Sequence, residues 1–260
     1  PNGASYTAKA EEFISGSPLP LTDGTIGPDG SLYFLTGGRR LESDLYRVYH
    51  KDRDKINNEV KKSEPNELVK LRREIEQYHR PSAPGTVDKV WEYLGHEDRF
   101  IRYAARVAVE HQPFDTWKDK VFAERNVVRL TEAMVAMAHV ADPSLQPQIM
   151  KKLATIPVEK ITPKMLENLL RVYEIVIARM GKVNDADAAA LAQRLEPFYP
   201  AKSNYTNREL SKILLALNSE PAVKKTLDIL ANAKDDTTQT SFMNSSDLIL
   251  RNPQYGLDIA

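Results

Sequence analysis

The residues whose types could do chemistry together sit near the front of the chain, in SGSPLPLTDGTIGPDGSLYFLTGGRRLESD. Successive antiparallel strands place alternate connections at the same end. SGSPLPLTD and TGGRRLESD should therefore share one rim, opposite the PDG turn. Asp23, Arg39 and Arg40 would then converge. Two guanidinium forks suit a carboxylate or an anionic cofactor, and a plain Asp–Arg salt bridge is the alternative use of the same residues. Other chemistries fail on spacing. The two Asp-Gly pairs lack the alternating acidic groups and distant bidentate Glu of a calcium loop. TGG is not followed by a helix start with Lys, so it is no phosphate loop, and neither a GxSxG elbow nor a Ser-His-Asp order is present. The five histidines, at 50, 79, 96, 111 and 139, form no HExxH and no close pair with a carboxylate at ligand spacing. Capping and surface roles are expected for them, with His96, ahead of Glu97 and Asp98, a turn residue.

The bulk composition narrows the classes. Lys+Arg and Asp+Glu both number 36, so no global basic field exists to hold a nucleic-acid backbone or an anionic membrane. The chain has no cysteine, which rules out disulfides, thiolate metal sites, a thiol nucleophile and haem attached through CxxCH within these 260 residues. No run of about 18 apolar residues suggests a membrane span. The first residue is Pro1, and the chain reads as a processed or excised piece of a longer one.

Residues 1–50 have β character. Four strands are expected, in YTAKAEEFISG, PLTDGTIG, SLYFLTGG and DLYRVYH, because Tyr, Phe, Val, Ile and Thr cluster between Gly, Pro, Asp and Ser punctuation. Pro28, Asp29 and Gly30 should close a tight reversal. In the last strand Leu45, Arg47 and Tyr49 alternate with Tyr46, Val48 and His50, so both faces carry apolar material and should be covered by a neighbour. Residues 51–84 read as a charged linker followed by one helix, with Leu68, Leu71, Ile75 and Tyr78 at helical spacing up to Pro81. In LRREIEQYHR alternating charge predicts a solvated face, with a partner-docking ridge as the functional reading.

From residue 85 to 260 the pattern is a short helix, a turn and a longer helix, repeated five times. The last member, DTTQTSFMNSSDLILRN, is the weakest. Thr206 with Glu209 predicts a capping box, Thr162 before Pro163 a helix start, and Gly181 a helix end. Ile101, Ala104, Ala105 and Ala108 give a narrow face for close helix approach, and Met134 and Met137 should pack in the core. Periods of roughly 30 to 45 residues predict a mainly α, HEAT-like solenoid behind a small antiparallel sheet.

Two resemblances accompany these patterns. LGHEDRFIRYAARVAV resembles the HEAT signature, through Asp98, Ile101, Arg102, Ala104 and Ala105. SPLPLTDGTIGPDGSLYFLTGGRRLESDLYRVY resembles the final blade of a β-propeller of the glucose and sorbosone dehydrogenase-like group. With the helical part, including YPAKSNYTNRELSKILLAL, the chain is similar to large secreted bacterial proteins that combine such a propeller, HEAT-like repeats and a c-type haem domain. That resemblance implies a periplasmic or extracellular location, and a parent protein that oxidises a sugar or related alcohol with quinone, calcium or haem. The implied partners are an upstream propeller and a haem domain or a separate protein, without nucleic acid or membrane insertion. The expectation for the chain itself is a scaffold segment with no turnover of its own. The alternatives are part of a quinone- or haem-linked dehydrogenase, with Asp23, Arg39 and Arg40 on a pocket rim, and a carbohydrate-binding module.

Overall fold

A computed structural model describes residues 2–38, 40–52, 55 and 64–232. They divide into two units: a sheet unit (1–2 and 6–65) and a helical unit (3–5 and 66–260). The linker stretch from 53 to 63, apart from Lys55, lies outside the described residues, as does DTTQTSFMNSSDLILRN.

The sheet unit holds three antiparallel strands in the order β1-β2-β3: β1 Leu21–Ile26, β2 Leu32–Gly38 and β3 Leu41–Val48. The PDG reversal forms as its residue types require. Gly30 donates to the Gly27 carbonyl and adopts φ 74, a left-handed conformation that glycine reaches without a Cβ penalty. The strand expected in residues 6–16 is absent: this segment is irregular and exposed. Its centre, AKAEE, offers no alternating apolar face to bury, and Lys9 pairs with Glu11 instead. Pro18 and Pro20 follow it and lack the N–H groups that a ladder leading into β1 would use. Among the described residues β1 therefore remains an edge.

The helical unit contains ten α-helices among its described residues: α1 Glu67–Glu76, α2 Thr86–Trp91, α3 Arg99–Glu110, α4 Lys118–Ala123, α5 Val127–Val140, α6 Gln146–Leu153, α7 Pro163–Met180, α8 Asp185–Leu195, α9 Asn204–Ala216 and α10 Glu220–Asn232. The helix expected beside the linker is α1, which packs on α3 as part of this unit. Its 77–112 corner is held by Gln112, whose amide donates to the Tyr78, Arg80 and Ala108 carbonyls and accepts from the Ser82 N–H.

In each of the four pairs whose longer helix is described, that helix starts at a side-chain cap, which satisfies backbone N–H groups that the first turn leaves unpaired. Asp98 caps α3, Asn126 α5, Thr162 α7 and Ser203 α9. Thr162 and Gly181 bound α7 as their types predict. Thr206 does not cap α9. The helix begins earlier, at Ser203, because the Ser203 hydroxyl accepts from the Thr206 N–H, which puts Thr206 inside the first turn and buries it.

Packing follows the pairs. Helix α3 packs on α2, α5 on α4, α7 on α6 and α9 on α8, while α3 also touches α5, α5 touches α7, α7 touches α9, and α9 touches α10. Small side chains permit this. Ala104, Ala105 and Ala108 on α3, with Ala133 and Ala136 on α5, are fully covered, beside Ile101, Leu130, Met134 and Met137. Each buried large aliphatic side chain contributes about 1.5–3 kcal/mol relative to exposure. One cluster of buried apolar residues runs from Ala4 and Ile75 to Ala222.

Candidate functional site

The sheet unit was expected to hold the chemistry. Asp23 lies within β1, opposite Leu35 of β2, and its carboxylate accepts from the neighbouring Gly24 N–H at 2.7 Å. Arg40 sits in the β2–β3 turn at φ 66 and is exposed. Leu35 precedes Gly38, where that turn begins, by three residues, or about 10 Å of strand. No ion pair joins Asp23 to Arg40 among the described residues, and Arg39 lies outside them.

What the register does gather is an amphipathic face. Residues opposite one another on antiparallel strands point to the same side. Asp23, Leu35 and Leu45 therefore share a face with Thr25, Tyr33 and Arg47. A groove of about 340 Å³ crosses it, lined by Asp23, Thr25, Tyr33, Leu35 and Leu45. Leu45 is 66 % exposed. At one end Arg47 reaches Asp29 at 2.6 Å and lies over the rings of Tyr33 and Tyr49. Hydrogen bonds from the Ser31 hydroxyl and backbone N–H, helped by Arg47 and Tyr33, hold the Asp29 carboxyl well below the usual range. The opposite face stacks Phe34 on Tyr46 at 4.9 Å between centroids, and residues 11–19 only partly cover it. Phe13, Ile14, Leu19, Leu21, Leu32 and Phe34 line a second groove there, of about 550 Å³.

In the helical unit the polar side chains organise along the longer helices. Arg102 and Arg106 of α3 each bond Glu132 of α5 at 3.2 Å, and His139 of α5 bonds Glu110 of α3 at 2.8 Å. Arg179 of α7 donates to the Ala138 and His139 carbonyls at the end of α5, where cations complement the helix dipole. Between α7 and α9, Lys212 bridges Glu174 and Glu209 at 3.1 and 2.9 Å. Burial works against ionisation of Lys212, yet the two carboxylates outweigh it and raise the ammonium above its ordinary value. Two exposed tyrosines, Tyr103 on α3 and Tyr205 on α9, each lie under an arginine three residues on: Arg106 at 5.0 Å and Arg208 at 4.8 Å. Tyrosine and arginine are the types that dominate binding energy at protein interfaces. The matching Tyr-x-x-Arg spacing in RYAAR and NYTNR is the trace that this arrangement leaves in the sequence.

The histidines have local roles. His96 Nδ1 bonds the Asp98 N–H in a turn, and His79 Nε2 bonds the Ala104 carbonyl. Among the described residues no three His, Asp or Glu side chains gather as metal ligands. The residues that carry the HEAT resemblance have structural roles: Asp98 caps α3, and Arg102 donates to the His96 and Glu97 carbonyls. A covalently attached haem does not fit this chain, which offers no thiol to bind it. No described helix is long and apolar enough to cross a membrane.

No protein-family model matches the chain, and no curated protein or solved structure does so at a significant level.

Proposed function

We propose that the chain is a scaffold segment of a larger polypeptide: a HEAT-like stack of helix pairs that presents an interaction face, preceded by a sheet that belongs to a larger β assembly of the propeller kind. The observation that carries this reading is the serial contact of α3 with α5, α5 with α7, and α7 with α9, each longer helix also resting on its own short partner. Repeats that touch only their neighbours have stability that is approximately a sum of local terms. The exposed Tyr–Arg pairs on α3 and α9 supply the anchors of the interaction face. The exposed leucines and tyrosines on the sheet supply its need for a β partner.

Two experiments test the reading. Removing residues from 183 onward should leave α1–α7 helical with a cooperative melt of their own; loss of all helicity would count against serial stacking. Leu45→Cys should react fast with maleimide in the 260-residue chain and slowly in the intact polypeptide from its source, which on this reading lies in the periplasm or outside the cell. Equal rates would remove the case for a covering β partner. Quinone, calcium and haem belong, on this reading, to other parts of that polypeptide.

A further inference from the structure

We propose that Gly3–Ser5 is a clasp, recognised as a Gly–Ala turn by the caps of α1 and α3, which fastens both ends of the 6–65 segment to the helical unit. Two helix caps each have a second polar atom, and both spend it on this turn. Asn66 caps α1 by accepting from the Val69 N–H at 2.8 Å, and its amide nitrogen donates to the Gly3 carbonyl at 2.9 Å. Asp98 caps α3 by accepting from the Phe100 N–H at 2.8 Å through one oxygen, and its other oxygen accepts from the Ala4 N–H at 2.7 Å. A serine or threonine would complete the capping alone, so the second contacts are additional to helix formation.

The turn itself is selected for size. Gly3 has φ +57, and a Cβ built on it would stand 2.1 Å from the Asp98 Oδ2, so a larger residue would be strained and would displace the carboxylate that holds Ala4. The Ala4 methyl is 0 % exposed and joins the apolar cluster that includes Ile75 and Val87. A side chain much larger than methyl would overfill that site.

The chain leaves the helical unit after Ser5 and rejoins it at Asn66, the residue that holds Gly3. With the clasp shut, both ends of the intervening segment are held on the helical unit; with it open, the Ser5 end is released. The clasp therefore restricts the conformational freedom of the 6–65 segment at its Ser5 end.

Because the chain has no cysteine, a labelled pair can be introduced without background. Nitroxides at Ser5→Cys and Glu67→Cys in the full 260-residue chain should give one narrow distance distribution by pulsed electron resonance. Adding Gly3→Val should broaden and lengthen it while circular dichroism stays constant. Asp98→Asn serves as a second variant, since its amide oxygen still caps α3 while its NH2 faces the Ala4 N–H, and it should broaden the distribution too. In the unaltered protein the Ala4 amide should exchange at least about tenfold slower than an open chain. A narrow distribution that survives Gly3→Val, or an Ala4 amide exchanging at the open-chain rate, overturns the proposal.

Discussion

Replacing Glu124 by glutamine should weaken the corner between the first two helix pairs, and the pH dependence of that loss can be worked out beforehand. One carboxylate oxygen accepts from Trp91 Nε1 of α2 at 2.8 Å and Arg129 Nε of α5 at 3.0 Å; the other accepts from the Arg125 and Asn126 N–H groups. Burial opposes ionisation there. The Asn126 N–H, Arg129, Trp91 and the Arg125 N–H overcome it and bring the carboxyl from 4.5 down to about 2. At 1.36 kcal/mol per pH unit this corresponds to about 3 kcal/mol, which solvent screening on the open side reduces to about 1–2 kcal/mol. The folded value is depressed, so this stability is fully present above the unfolded value of 4.5 and disappears as pH falls towards 2. Urea titrations of Glu124→Gln and the parent at pH 7 should differ by about 1–2 kcal/mol, and by pH 3 more than half of the difference should be gone. A difference that stays constant between pH 7 and 3 would refute the electrostatic account and leave shape as the explanation.

Other perturbations have equally direct readouts. Ala105→Leu, at a fully covered α3 position, should cost about 1–3 kcal/mol of urea stability by overpacking; a neutral result would mean that α3 does not sit against its neighbours as described. Ser203→Ala should cost about 1 kcal/mol, since it removes the cap of α9, and an unchanged melt would return the cap to Thr206. Leu45→Lys should reduce binding of a hydrophobic dye while shifting stability by no more than about 0.5 kcal/mol, and undiminished dye binding would place the sticky surface elsewhere.

The helical part was the more legible. Every pair from α2–α3 to α8–α9 follows apolar spacing that is visible in the chain, and Thr162 and Gly181 mark ends through purely local chemistry. Thr206 misled because two hydroxyl residues, Ser203 and Thr206, stand one turn apart. The choice between them is made by burial of Thr206 against the rest of the unit, which no short window contains. The sheet was read one strand too generously. Tyr6, Phe13 and Ile14 have β propensity, but a strand needs a partner and a face to bury, and AKAEE supplies neither. The rim reading assumed strand ends that bulges shift: the β1–β2 register slips between Leu21 and Asp23, and the β2–β3 register between Thr36 and Gly38. The Asp29–Arg47 pair joins residues 18 apart in the chain, and only the finished register reveals it.

Helix α5 has eight buried residues, and Glu132 and His139, its polar members in mid-helix and last turn, are already engaged by α3. Helix α5 thus has almost no free exterior on which substitutions could act without disturbing the interior. Substitutions that spare the interior, in natural drift or in a designed library, are channelled to the other long helices, where Tyr103, Arg171 and Tyr205 are exposed. On the proposed scaffold reading, the Tyr103 and Tyr205 patches can therefore diversify independently of one another.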